Sequence, residues 1–314
     1  MPQSFDRRTM LTGAAAAGFA ATLGLRQADA QPAAGATRDG PLTKTVPSSG
    51  QAIPVVGLGT WITFNVGDNA EALAQCTAVM QAFFEAGGGM IDSSPMYGSA
   101  QATIGHGLRQ LGVPGSLFPA DKVWTGSPSD GPAQIGETEA LWGVDRLGLL
   151  QVHNLVGWEG HLDTLAAMKA EGRIGHIGIT TSHGRRHDDV AAIMENRPID
   201  FVQLTYNLAD RAAEERLLPL AAERGIAVIA NRPFRRGALI DAVAGKPLPA
   251  VAGEIGAATW PQFLLKYIVS HPALNVAIPA TRNVDHVREN MAAATGPVPD
   301  AAQRRQMALA FDSL

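Results

Sequence analysis

Four ionisable residues stand where a barrel-like chain would concentrate its chemistry. Asp92 and Tyr97 lie in GGGMIDSSPMYG (87–98), Lys122 in LFPADKVW (117–124) and His153 in LLQVHN (149–154). Each falls at, or just after, the end of a short apolar run that reads as a strand. A tyrosine donates a proton to a carbonyl oxygen more readily when a cation lowers its phenol pKa. Lys122 is the candidate cation, Asp92 the acid that holds it, and His153 a hydrogen-bond donor that orients the carbonyl. Singly each residue has a plainer explanation: a turn-forming Asp, a surface Lys on an edge strand, a satisfied core His. Their order and their shared position at strand ends favour the chemical reading.

The elements around them alternate. Strands are expected at Val55–Leu58, Gly89–Asp92, Leu117–Val123, Leu149–His153, Ile174–Ile179, Phe201–Leu204, Ala227–Ala230 and Val276–Ile278. Amphipathic helical spacing is read at Glu71–Ala86, Leu162–Ala170, Val190–Glu195, Glu214–Arg224, Pro261–Ser270 and Val284–Ala293. Gly87, Gly172 and Gly225 follow helices, where left-handed caps are wanted. The segment from Gly126 to Leu147, with its prolines and glycines, predicts a short or irregular third helix. Eight strands alternating with helices predict an α/β fold, a single (β/α)8 TIM barrel. A short hairpin around Ser48-Ser49-Gly50 precedes it and a C-terminal helix follows. A doubly wound sheet is disfavoured, because Gly57-Leu58-Gly59-Thr60-Trp61 lacks the third glycine and the immediate helix of a dinucleotide fingerprint.

Composition narrows the classes. Net charge is −4 and no basic block appears, so nucleic acid has no electrostatic support as a partner. The lone cysteine, Cys76, forms no internal disulfide and reads as buried filler. His183 and His187 have arginines between them and no acidic or thiol ligand at metal spacing, so no metal site is expected. Paired carboxylates at strand ends, as a glycosidase would need, are missing: Glu137, Glu139 and Glu159 lie elsewhere.

Residues 1–30 read as a twin-arginine signal peptide. Arg7-Arg8 precede an apolar Ala/Gly-rich stretch, Thr9 to Leu25, and Ala28-Asp29-Ala30 supplies a small-residue cleavage site. The stretch is too short and mild for a stable membrane span. Engagement of the export machinery and a periplasmic location, reached in the folded state, are the expectations. Residues 31–41 read as a disordered leader and 42–314 as the barrel.

The Asp92, Tyr97, Lys122 and His153 set resembles the catalytic tetrad of the aldo/keto reductases, and the resemblance runs from about residue 42 to about residue 295. It implies an NADP(H)-dependent reductase of small aldehydes or ketones, NAD(H) remaining open, with Tyr97 as general acid. By matching position, Thr180, Thr181 and Gln203 would bind the nicotinamide amide. Gly59 and Thr60 would lie on the cofactor side. Arg232, Phe234 and Gly237 would approach the pyrophosphate. Thr281, Arg282, Glu289 and Asn290 resemble the adenosine-phosphate segment. Trp61, Met96, Trp124 and Trp158 are expected to wall the substrate pocket.

The chain also departs from the family. Asn231 stands where an aromatic residue often stacks on the nicotinamide, Ala280 replaces a basic residue, and His286 stands where Arg is common. Asp121 replaces a threonine before Lys122, and Pro119 interrupts that strand; alternation should point Asp121 away from the lysine. Ala280 and His286 weaken NADP relative to NAD, while Asn231 and Asp121 leave a second reading open, a weakly active or non-catalytic nucleotide-binding barrel with a sensing or partner-binding role. The short tail after Asp300 predicts a small or open pocket.

Overall fold

Strand Phe118–Val123 shows how the sequence distributes its side chains. Phe118 and Ala120 join the buried cluster inside the barrel. Val123 joins the larger cluster between sheet and helices, and Asp121 points the same way, towards residues of two surrounding helices. Lys122 follows the inward face of Phe118 and Ala120, as a period of two requires. Pro119 costs one amide hydrogen but does not interrupt the strand.

A computed structural model describes residues 40–314. The expected signal peptide (1–30), with Arg7-Arg8, and nearly all of the expected leader lie outside the described residues. Strands β1 (Thr43–Thr45) and β2 (Ala52–Pro54) form an antiparallel hairpin. Eight parallel strands follow: β3 (Leu58–Gly59), β4 (Met90–Asp92), β5 (Phe118–Val123), β6 (Leu147–Val152), β7 (Ile174–Thr180), β8 (Phe201–Thr205), β9 (Ala227–Asn231) and β10 (Val276–Ala277). They pair in sequence order, and parallel bridges Val56–Ala277 and Gly59–Ala280 join the first to the last. The sheet is thus a closed (β/α)8 barrel without free edges.

The helices are α1 (Ala70–Glu85), α2 (Ala100–Leu111), α3 (Gly131–Trp142), α4 (Trp158–Ala170), α5 (His187–Asn196), α6 (Leu217–Arg224), α7 (Ala238–Val243), α8 (Val251–Glu254), α9 (Trp260–Val269), α10 (Val284–Ala292) and α11 (Ala301–Asp312). None of the described helices is long and apolar enough to cross a membrane.

The hairpin closes the bottom of the barrel. Val46 and Ile53 pack with Met90, Phe118, Phe201 and Ile229 in the interior. Lys44 Nζ donates to His271 O and Leu274 O, both at 2.6 Å. The hairpin covers that end, and the cavity lies at the C-terminal ends of the strands.

One expectation about the helices needs correction, and one helix was not read from the sequence. The third helix, α3, is a regular helix of 12 residues. Its prolines lie before it or in its first turn, where a missing amide hydrogen is harmless, and Gly143 ends it in the left-handed region. Helix α2 escaped the periodicity reading, because Gly105 and Gly107 interrupt its apolar face. Both glycines are packing positions. A Cβ on Gly105 would collide with Leu141 O, and one on Gly107 would meet Met80 Sδ at 2.6 Å.

Candidate active site

The acid of the site is positioned by alternation in β4. Met90 and Asp92 face inwards while Ile91 packs outwards. Asp92 Oδ2 lies 2.6 Å from Lys122 Nζ, and Lys122 donates a second bond of 2.6 Å to Ser93 O. Gln203 Nε2 donates to Asp92 Oδ1 at 2.8 Å, and Thr60 Oγ1 donates to Asp92 O at 2.9 Å. The carboxylate and the ammonium therefore have little freedom to swing apart.

Tyr97 is carried by a single 3-10 turn, Pro95–Tyr97, which Ser94 caps through the Met96 amide. Gly98 lets the chain leave that turn at φ 63°, and a Cβ there would strike the Asn65 side chain. The Tyr97 ring centre is 5.1 Å from Lys122 Nζ. The His153 ring meets the Tyr97 ring edge-on, with centres 5.7 Å apart. His153 follows β6 directly, and its Nδ1 lies 2.7 Å from Ser94 Oγ. Three strand ends thus bring the four residues together.

Burial sets the electrostatics. Desolvation would lower the Lys122 pKa, but Asp92, Tyr97 and Asp121 outweigh it and raise it above the ordinary value. Burial, with a smaller push from Lys122, depresses His153 to about 3. The Tyr97 phenol departs from the sequence expectation. Lys122 does pull it down, yet burial dominates and holds it above the ordinary value. At neutral pH the site therefore holds an ammonium, a neutral imidazole and a protonated phenol.

Asp121 does not compete for the ammonium. Its carboxylate accepts from the Lys122 amide at 2.7 Å, from Trp142 Nε1 at 2.7 Å and from Gln101 Nε2 at 3.0 Å. Trp142 and Gln101 lie behind the strand, on α3 and α2. Burial raises its pKa to about 6, against the pull of Lys122 and its hydrogen bonds.

A cavity of about 690 Å³ opens above the tetrad. Asp92, Tyr97 and His153 line it, while Lys122 lies beneath, shielded by them. Gly59, Thr60, Trp61, Met96, Thr180, Thr181, Gln203, Asn231, Arg232, Phe234, Gly237, Thr281, Glu289 and Asn290 also line it. Three predicted residues do not. Trp124 is 41% exposed outside the cavity. Trp158 begins α4, half-buried, with Arg197 over its ring. Arg282 is exposed and absent from the lining. The three-indole wall thus reduces to Trp61 with Met96. A position just beyond a strand end permits an inward or an outward side chain, and only the loop path selects one.

Asn231 is committed to its neighbours. It donates to Thr181 O at 2.8 Å and accepts from Thr205 Oγ1 at 2.7 Å. At the far end, Asn283 caps α10 through the Asp285 and His286 amides, so those amides are already used. Thr281 and His286, with Oγ1 and Nδ1 3.5 Å apart, line this end together with Glu289 and Asn290. No residue of the tail after Asp300 lines the cavity. Arg304 instead ties α11 to Tyr206 Oη at 2.6 Å and Ser270 Oγ at 3.0 Å.

The sequence reading missed Ser94, Ile62, Asn154, His183 and Arg236. Arg236 caps the mouth opposite Trp61, its guanidinium 4.5 Å from the indole centre. Its signal was present in NRPFRRG (231–237), an arginine-rich loop directly after a strand. Arg232 and Arg236 both line the cavity, and neither forms an ion pair among the described residues.

The aldo/keto reductase family model matches residues 55–305. The chain belongs to the aldo/keto reductase family. Among related aldo/keto reductases, methylglyoxal reductase YeaE from Escherichia coli is 29% identical over 258 residues, covering 77% of this chain and 85% of the relative. An NADH-specific methylglyoxal reductase from the same organism is 25% identical over 232 residues, covering 63% and 68%. An aldo/keto reductase from Klebsiella pneumoniae, solved with NADP and acetate, superposes with a TM-score of 0.72 at 24% identity. That match covers 86% of this chain and 96% of the other. Membership makes the chain an oxidoreductase fold with the chemistry of carbonyl reduction as its family background.

Proposed function

We propose that this aldo/keto reductase reduces a small aldehyde or ketone with hydride from NADPH, Tyr97 acting as general acid. The buried Asp92–Lys122 pair beneath the Tyr97 ring is the observation that carries the reading. A buried ammonium costs free energy unless it is paired, and here its field falls on the phenol that would become a phenolate. Tyr97 would hand its proton to the carbonyl oxygen while neutral His153 donates a hydrogen bond to the same atom. Lys122 would stabilise the phenolate left behind. A phenol protonated at neutral pH suits reduction better than the reverse reaction.

The cavity fits a nicotinamide dinucleotide. It runs from the tetrad, past the polar floor of Thr180, Thr181, Gln203 and Asn231, to Thr281 and Asn290, and its wall includes two guanidinium groups that form no ion pair among the described residues. When bound, the cofactor supplies the hydride. Arg232 and Arg236 would hold its pyrophosphate, and Thr281 with His286 its adenosine end. NADP in the Klebsiella pneumoniae structure supports NADPH, whereas the NADH-specific relative keeps NADH in view. Relatives named for methylglyoxal support a small, oxygen-rich carbonyl substrate.

The test is loss of NADPH absorbance with a panel of small aldehydes, with Tyr97→Phe as control. Turnover abolished by that change supports the reductase. Binding of NADPH without turnover supports the second reading, a nucleotide-binding barrel, to which hydrogen-bonded Asn231 in place of a stacking aromatic lends its weight. Export by the twin-arginine route to the periplasm rests on Arg7-Arg8 and the apolar stretch after them. Fractionation of cells carrying the native protein and an Arg7→Lys/Arg8→Lys variant tests it; an unchanged periplasmic share would refute it.

A further inference from the structure

Ser94 is buried, and its side chain makes two hydrogen bonds among the described residues. The Met96 amide donates to Ser94 Oγ at 3.2 Å, and Ser94 Oγ lies 2.7 Å from His153 Nδ1. A hydroxyl has one hydrogen to give. With Met96 already supplying a hydrogen to Oγ, the one acceptor left within reach of the hydroxyl hydrogen among the described residues is Nδ1. If Nδ1 carried the ring hydrogen instead, Oγ would receive two N–H groups, and its own hydrogen would be buried without an acceptor. That arrangement is disfavoured by about tenfold or more, the equilibrium equivalent of one buried unmade hydrogen bond.

The other ring nitrogen has a different environment. His153 Nε2 has no hydrogen-bond partner among the described residues, yet it is not one of the buried polar atoms left without a partner. It therefore reaches the cavity that His153 lines. We infer that Ser94 is a positioning residue: its hydroxyl holds His153 in the Nε2–H tautomer and aims that hydrogen into the cavity. The low His153 pKa agrees, because the ring stays neutral and its tautomer is a real choice.

The consequence rests on the reductase reading of the site. Tyr97 Oη and His153 Nε2 become two donors that can converge on one carbonyl oxygen. The opposite tautomer would present a lone pair there and repel it. One serine hydroxyl would then decide whether the imidazole helps or opposes the reaction.

The experiment uses the full-length protein labelled with 15N at histidine, with ring nitrogen shifts read near neutral pH and the His153 signals assigned from a His153→Gln variant. Native protein is expected to show a protonated Nε2 and an unprotonated Nδ1. Ser94→Ala should shift His153 towards the Nδ1–H form and lower kcat about tenfold with KM little changed. Ser94→Thr, which retains the hydroxyl, should restore both. Thermal unfolding of each variant checks that the turn carrying Tyr97 survives. A native Nδ1–H tautomer, or a Ser94→Ala protein with the native tautomer and kcat, would overturn the inference. The tautomer is read without turnover, so a protein that reduces no carbonyl would count against the reductase reading while leaving Ser94 and His153 judged by their own signals.

Discussion

Asp92 and Lys122 form an ion pair of 2.6 Å with side chains 2% and 0% exposed. Removing one partner leaves the other charged and dry. Lys122→Met is expected to destabilise the fold by about 3–5 kcal/mol and to abolish turnover. The double variant Asp92→Asn/Lys122→Met should recover much of the stability and none of the activity. Urea unfolding midpoints together with NADPH turnover check this. A single variant as stable as the native protein would mean that the pair is not buried as described.

His153 makes stability depend on acid. Its pKa lies near 3 in the folded chain, against 6.5 ordinarily, so below about pH 6.5 the unfolded chain takes up a proton that the folded chain refuses. The stability contribution is complete above that pH and is lost as pH falls towards 3, with a slope of up to about 1.4 kcal/mol per unit. His153→Asn should remove that slope. Denaturant titrations at pH 7 and pH 5, compared between native and variant, read it directly. Parallel losses in both proteins would count against a neutral buried imidazole.

Asp121 acts in the opposite sense. Burial raises its pKa from 3.8 to about 6, so its charged form is disfavoured in the folded chain. Stability from this residue is greatest when it is protonated and declines as pH rises from about 4 through 6, by up to about 3 kcal/mol. Relative to Asp121→Asn, the native protein should therefore lose ground between pH 4.5 and pH 7.5. A constant difference in unfolding free energy across that range would refute the assignment.

Arg236 lies over Trp61 at the mouth without an acidic partner among the described residues. Arg236→Met is expected to weaken NADPH binding about tenfold, the worth of one contact between a charge and an anion, and to flatten its salt dependence. Fluorescence titration of NADPH at two salt concentrations measures both. An unchanged dissociation constant would remove Arg236 from the cofactor site.

The two tryptophans near the mouth should behave differently. Trp61→Ala is expected to raise KM for small aldehydes several-fold, because its indole lines the cavity. Trp124→Ala should leave kcat and KM within about twofold, since that side chain faces solvent. Steady-state kinetics on one aldehyde distinguishes them, and equal effects would contradict the positions described.

The alternation of strands and helices, the inward face of β5 and the strand-end placement of Asp92, Tyr97, Lys122 and His153 were legible in the residues. Each depends on a local period or on chain order, which a linear string contains. Asp121 turning away from the Lys122 ammonium was legible for the same reason. Helix α2 was hidden because Gly105 and Gly107 answer to contacts with Leu141 and Met80, far away in sequence. The outward turn of Trp124 and the exposure of Arg282 depend on loop paths that have no period. The Ser94–His153 contact spans 59 residues and exists only once β4 and β6 are placed in the barrel. The direction of the Tyr97 shift followed the same rule. Lys122 supplies a pull that sequence could name, but the larger effect is desolvation, which arises only when the tertiary structure closes around the phenol.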